Sequence, residues 1–169
     1  MPITAFITFY RRGDDERTFH NGLVFADPGT SQPDKPVTVY QITDDAHPPK
    51  PSSKWKLNHR LTVLSKDSKL TGLVAIASSA DYNIGDISAF MNDFGAEPDR
   101  REYPGGCIEW NCTWWCIYVL QRLSDSEVLT LPKELRGQAL FDRAYLAGQQ
   151  LKVGRVDYRV LGCPVLSLT

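Results

Sequence analysis

The chain has 169 residues, 42% hydrophobic and 23% charged, which predicts one globular domain over 1–169 with its own core and excludes a disordered polypeptide. Its formal net charge of -1, with no basic run longer than the pairs Arg11-Arg12 and Arg100-Arg101, excludes electrostatic recruitment by nucleic acid or an anionic membrane surface. No stretch approaches the ~20 apolar residues of a membrane-spanning helix, so no integral membrane segment is expected.

Residues 3–10, "ITAFITFY", are β-branched and aromatic and predict a strand. The opening "MPITAFITFYRRGDDE" lacks the charged n-region of a signal peptide, and a cytoplasmic address is expected from it. After the polar turn "RRGDDER", "TFHNGLVFAD" predicts a second strand ended by Pro28-Gly29. "PVTVYQIT" predicts a third, with Val37, Val39 and Gln41 on one side. "DDAHPPKPSSK" reads as an exposed loop, and "KWKLNHRLTVLS" and "KLTGLVAIASS" as further strands. Ile84, Ile87, Phe90, Met91 and Phe94 recur at helical spacing, predicting a helix over 84–95 stopped by Gly95. A second helix is expected from Asn111 or Cys112 to about Leu123. The later part of "PKELRGQALFDRAYLAGQQL" reads as a third, and "GRVDYRVLGCPVLSL" closes the chain as strand. Strands first and helices behind them predict an α+β fold, an antiparallel sheet of five or more strands packed on a few helices.

The chemistry-bearing stretch is "EWNCTWWCIYVLQRL", residues 109–123. In a cytoplasmic setting Cys107, Cys112, Cys116 and Cys163 are expected as reduced thiols. Their C-x4-C-x3-C spacing is not a zinc pattern, and His20, His47 and His59 lie far upstream, so neither metal nor cofactor is expected. Asn111 is a natural N-cap, which puts Cys112 in the first turn of its helix. There unpaired N–H groups and the helix dipole favour a thiolate, and the N–H groups at residues 112–113 are placed to hold an oxyanion. Cys116, one turn deeper, is expected to face the core.

A thiol nucleophile needs a base, and the base an orienting group. His20 sits in the apolar strand "FHNGLVF". His47 and His59 are expected to be solvated. Gln41, in the neighbouring strand, is within reach of an imidazole on an adjacent strand. Trp110, Trp114 and Trp115 cannot share one side of a helix, so at least one is expected at a surface or pocket wall. All three, with Asn111, are candidates to line a substrate pocket, a core placement of the tryptophans being the equal alternative.

"HNGLVF" (His20), "VYQI" (Gln41) and "NCTWW" (Asn111, Cys112, Trp115), in that order, resemble the circularly permuted papain-like cysteine enzymes. The similarity is to the lecithin:retinol acyltransferase-like and deSUMOylating isopeptidase-like groups and covers about residues 3–130. It implies a permuted papain-like fold and an acyl-enzyme chemistry, hydrolase or acyltransferase. Cys112 would be the nucleophile, His20 the proton carrier and Gln41 the orienting group. Two positions depart from the pattern: Gln41 stands for the second histidine of the acyltransferase type, and Thr113-Trp114 for a polar pair. Residues 131–169 align with nothing in these groups and are expected to pack on the rest as a lid or pocket wall. The substrate expected is a soluble small molecule, a peptide or a modified protein, its amide, ester or thioester cleaved or condensed. The rival reading is a papain-like domain without catalysis that binds a ligand or protein through its tryptophans. In the plainest alternative the cysteines are only core. Contact between His20 and Cys112 separates the first reading from the others.

Overall fold

The computed structural model describes residues 2–13, 15–44 and 54–168. Most of the proline-rich stretch expected as a loop, His47 included, lies outside the described residues. The fold is α+β. A five-stranded sheet has the order β2-β1-β7-β9-β8, where β1 is Ile3–Arg12, β2 Asp15–Ala26, β7 Leu70–Ser79, β8 Tyr158–Val160 and β9 Cys163–Ser167. Two small ladders join β3 (Val37–Val39) to β6 (Arg60–Thr62) and β4 (Ile42–Thr43) to β5 (Lys56–Leu57). The helices are α1 (Ile84–Met91), α2 (Cys112–Asp125) and α3 (Gly137–Lys152).

Antiparallel pairing runs from β2 through β1 to β7 and again between β8 and β9, whereas β7 and β9 pair in parallel. β1, flanked by β2 and β7, is buried on both faces, which is why "ITAFITFY" reads as a nearly continuous apolar run. Ile3, Ala5, Ile7 and Phe9 face the helices, and Phe6 and Tyr10 face the opposite layer with Val39, Leu64, Val160 and Val165. Residues 131–168 are therefore more than a layer added to the motif-bearing part. They supply α3, which packs on β7 and β9, and they place β9 inside the sheet between β7 and β8.

α2 is the central helix. Eight of its residues are buried, from Cys112 round to Leu123, and they occupy more than one face. Asn111 caps it, its Oδ1 accepting from Thr113 N–H at 3.0 Å and Trp114 N–H at 3.1 Å. α1 ends at Met91, short of the expected Gly95. Past that point the N–H groups of Asn92, Asp93 and Phe94 bond three residues back, tightening the chain. The carbonyls of Gly95 and Ala96 then accept the indole N–H groups of Trp115 and Trp110, at 2.9 Å and 3.0 Å. Among the described residues, no helix is long and apolar enough to cross a membrane.

Candidate active site

β2 delivers His20, the crossing from β3 to β4 delivers Gln41, and the first turn of α2 delivers Cys112. His20 Nε2 bonds Gln41 Oε1 at 2.9 Å, which leaves Nδ1 for the Cys112 thiol, with which the imidazole also hydrogen-bonds. The three residues thus form one chain, sulfur to imidazole to amide oxygen. The Gln41 backbone is pinned from both sides. Its main-chain N–H donates to His59 Nδ1 at 3.2 Å and its main-chain carbonyl accepts from Asn58 N–H at 2.9 Å. Gly22 lets that segment approach, because a Cβ there would stand 2.9 Å from Val39 Cγ1 and 3.0 Å from the Tyr40 carbonyl oxygen.

The Cys112 sulfur is almost wholly buried, and burial by itself opposes ionisation. The hydrogen bond and charge of His20, the Arg12 guanidinium and the Asn21 backbone N–H together outweigh it and bring the thiol down to about 7. Arg12 Nη2 stands 3.9 Å from Sγ. Burial likewise works against an imidazolium at His20, but the thiolate and the Gln41 oxygen prevail and raise its pKa. The two shifts describe a coupled pair that favours thiolate beside imidazolium. Cys116 has no such neighbours: burial and the adjacent Cys112 push its thiol well up, and burial takes Cys107 and Cys163 to about 11.

Several expected placements are corrected. Thr113 N–H is held by the Asn111 cap, so of the N–H pair at 112–113 only that of Cys112 is left for an oxyanion. His59 is packed rather than solvated, with its ring against Tyr40 and Trp115 and its Nε2 buried. Burial lowers its pKa, and as an acceptor at Nδ1 it holds Gln41 as a neutral ring. None of the three tryptophans of the motif is exposed: Trp110, Trp114 and Trp115 retain 6%, 5% and 0% of their surface. Trp110 precedes α2 and so escapes the helical geometry behind the expectation. It stacks on Tyr103, Trp114 stacks on Phe141, and Trp115 fills the core. Of the four residues expected at a substrate pocket, Trp110 and Asn111 share a cavity with Cys112. Trp114 and Trp115 do not wall it.

Arg12 and Asn21 belong to the site although no motif marks them. Asn21 Nδ2 donates to the Thr8 carbonyl at 2.8 Å, and its Oδ1 accepts from Thr113 Oγ1 at 2.7 Å, binding the start of α2 to the sheet. The cavity beside Cys112 has a volume of about 370 Å³; Phe9, Phe19, Trp110, Phe141 and Tyr145 form its aromatic wall, with Glu109 and the polar groups at the start of α2 on its other side. Gly148 sets the position of Phe9, since a Cβ there would lie 2.4 Å from Phe9 Cε1. Gly148→Ala gains about 1 kcal/mol of helix propensity. The overpacking costs about 1–3 kcal/mol and wins, or else drives the Phe9 ring into the cavity. A melting temperature a few degrees lower, or slower modification of Cys112, is the expected result. A variant that is more stable and equally reactive would contradict the packing.

No metal-holding group of three His, Cys, Asp or Glu residues occurs among the described residues. Compared with protein-family models, curated proteins and solved structures, the chain finds no match in any of the three.

Proposed function

We propose that the protein is a cysteine-dependent acyl-group enzyme that works through a covalent acyl-cysteine, in a permuted papain-like arrangement of Cys112, His20 and Gln41. The observation that carries this reading is the placement of the His20 ring, with one nitrogen 2.9 Å from Gln41 Oε1 and the other serving the Cys112 thiol. A core cysteine needs no such partner, and a core histidine has no reason to bridge a thiol and an amide. The motif order in the sequence supports the same assignment.

The chemistry follows from the geometry. The Cys112 thiolate attacks a carbonyl carbon, forming the C–S bond and placing negative charge on the carbonyl oxygen. The Cys112 N–H at the helix start and the nearby Arg12 charge stabilise that oxygen. Collapse breaks the bond to the leaving atom, which takes the proton of the His20 imidazolium. Water, or an amine or alcohol, then gives its proton to His20 and displaces the sulfur as a thiolate, restoring the thiolate–imidazolium pair. Gln41 holds the ring throughout and stays neutral.

Intact-mass spectrometry after exposure to a panel of thioesters and activated esters tests the proposal. One acyl group per chain is expected, mapped to Cys112, absent in Cys112→Ala and cleared more slowly in His20→Ala. Acylation spread over Cys107 and Cys163, or none with any donor, would sink it.

A further inference from the structure

Arg12 walls two cavities, and the Cys112–His20 pair stands between them. The smaller one, on the Cys112 side, is the aromatic chamber described above. The larger, about 600 Å³, lies on the other side, with His20 and Gln41 in its wall. Its chemistry is different. Among the described residues it carries four cationic side chains, Arg11, Arg12, Arg60 and Lys69, against the two carboxylates Asp44 and Asp67. Asp67 is already paired with Arg60 at 3.0 Å. The Arg60 guanidinium lies over the Tyr10 ring, 5.0 Å from its centroid. Arg11, Arg12 and Lys69 are thus opposed by Asp44 alone, and a wall with that surplus of cations favours an anionic ligand.

Which part of a substrate goes where is decided by the proton. In acyl transfer to a thiolate, the leaving atom receives its proton from the imidazolium, so the leaving group must lie on the imidazole's side of the carbonyl. Here that is the cationic cavity, and the acyl chain falls to the aromatic one. We infer that the substrates join an aromatic acyl group, bound among Phe9, Phe19 and Phe141, to an amine, thiol or alcohol leaving group that bears a carboxylate, bound by the cations around Arg60. This rests on the acyl-enzyme reading above and adds the substrate class to it.

Thioesters test it, because one acyl group can be carried on leaving thiols of different charge. The probes are the 3-phenylpropionyl thioesters of 3-mercaptopropionate (anionic), 2-mercaptoethanol (neutral) and thiocholine (cationic). Each enzymic kcat/KM is divided by the uncatalysed hydrolysis rate of the same ester, which removes differences in leaving ability. The anionic ester is expected to be favoured over the neutral one by about tenfold and over the cationic one by more. In the double variant R11Q/K69Q, both changes at exposed positions on the cavity wall, the anionic-to-neutral ratio should fall toward one. Equal normalised rates, a preference for the cation, or a ratio unmoved by R11Q/K69Q would overturn the substrate class while acylation of Cys112 upheld the acyl-enzyme reading. No acylation of Cys112 by any of the three would overturn both.

Discussion

At pH 6, iodoacetamide is expected to alkylate Cys112 well before the other three cysteines, and the rate should rise with pH through a midpoint near 7. A thiol at about 7 is ionised roughly 100 times more at pH 6 than one at the ordinary value of 9.0, and roughly 10,000 times more than Cys107 or Cys163 at about 11. Lower basicity weakens each thiolate, with a Brønsted slope of about 0.4–0.5, so the net advantage over Cys107 and Cys163 is roughly a hundredfold. His20→Ala removes a hydrogen bond and a positive charge that lower the thiol, and leaves the burial that raises it. The labelling midpoint must therefore move up, and turnover of any acyl donor should fall about 10²–10⁴-fold. Peptide mapping of the alkylated protein over a pH series gives the answer. If Cys112 labels no faster than the half-exposed Cys107, or ignores the loss of His20, the thiolate–imidazolium pair does not exist.

Trp115→Ala is expected to take away a large part of the stability of the fold. The indole is fully buried between α2 and the loop after α1, and its N–H holds the Gly95 carbonyl at 2.9 Å. Removing a buried tryptophan side chain costs about 3–5 kcal/mol, and the abandoned carbonyl adds about 1 kcal/mol or more. Against a total margin of about 5–15 kcal/mol, the variant should unfold at a much lower urea concentration or fail to accumulate. Trp115→Phe keeps much of the ring and should lose far less. Urea melts of the two variants distinguish a core role from a pocket role. A Trp115→Ala protein of nearly normal stability would return Trp115 to the surface of a binding site.

What was legible in the residues was what local chemistry dictates. Asn before Cys, followed by an apolar run, specifies a capped helix start because the cap satisfies N–H groups only two and three positions away. The β-branched and aromatic composition of "ITAFITFY" and the β-branched, apolar run of "KLTGLVAIASS" specify strands in the same local way. What could not be read depends on partners distant in the chain. Arg12, beside a run of acidic residues, looks like a solvated turn until β1 carries it to the Cys112 sulfur. Asn21 reads as a polar interruption of a strand, and its purpose is visible only when Thr113 arrives. His59, flanked by Asn58 and Arg60, looks exposed, yet Gln41 draws it inward. The three tryptophans suggest a pocket because a helical wheel cannot hide them all, and Trp110 does wall the cavity beside Cys112. Trp110 lies off the wheel, and α2 is covered on more than one face.

The parallel seam between β7 and β9 also shapes how the chain reaches this fold. Leu73 must find Val165 and Val74 must find Leu166 after the whole helical segment has been made. The hairpin of β1 and β2 and its pairing with β7 can assemble earlier, from parts closer together in sequence. Until β9 docks, one side of β7 offers unpaired backbone along Leu73, Val74 and Ala75, an apolar edge that another copy of the chain can extend as readily as β9 can. A topology whose last strand closes so distant a contact belongs among slower folders, on the order of milliseconds to seconds, because the loop must close before the pairing rewards it. During refolding the main competitor of β9 is thus the β7 of a neighbouring molecule, and crowding of unfolded chains, more than any weakness of the finished core, sets the yield.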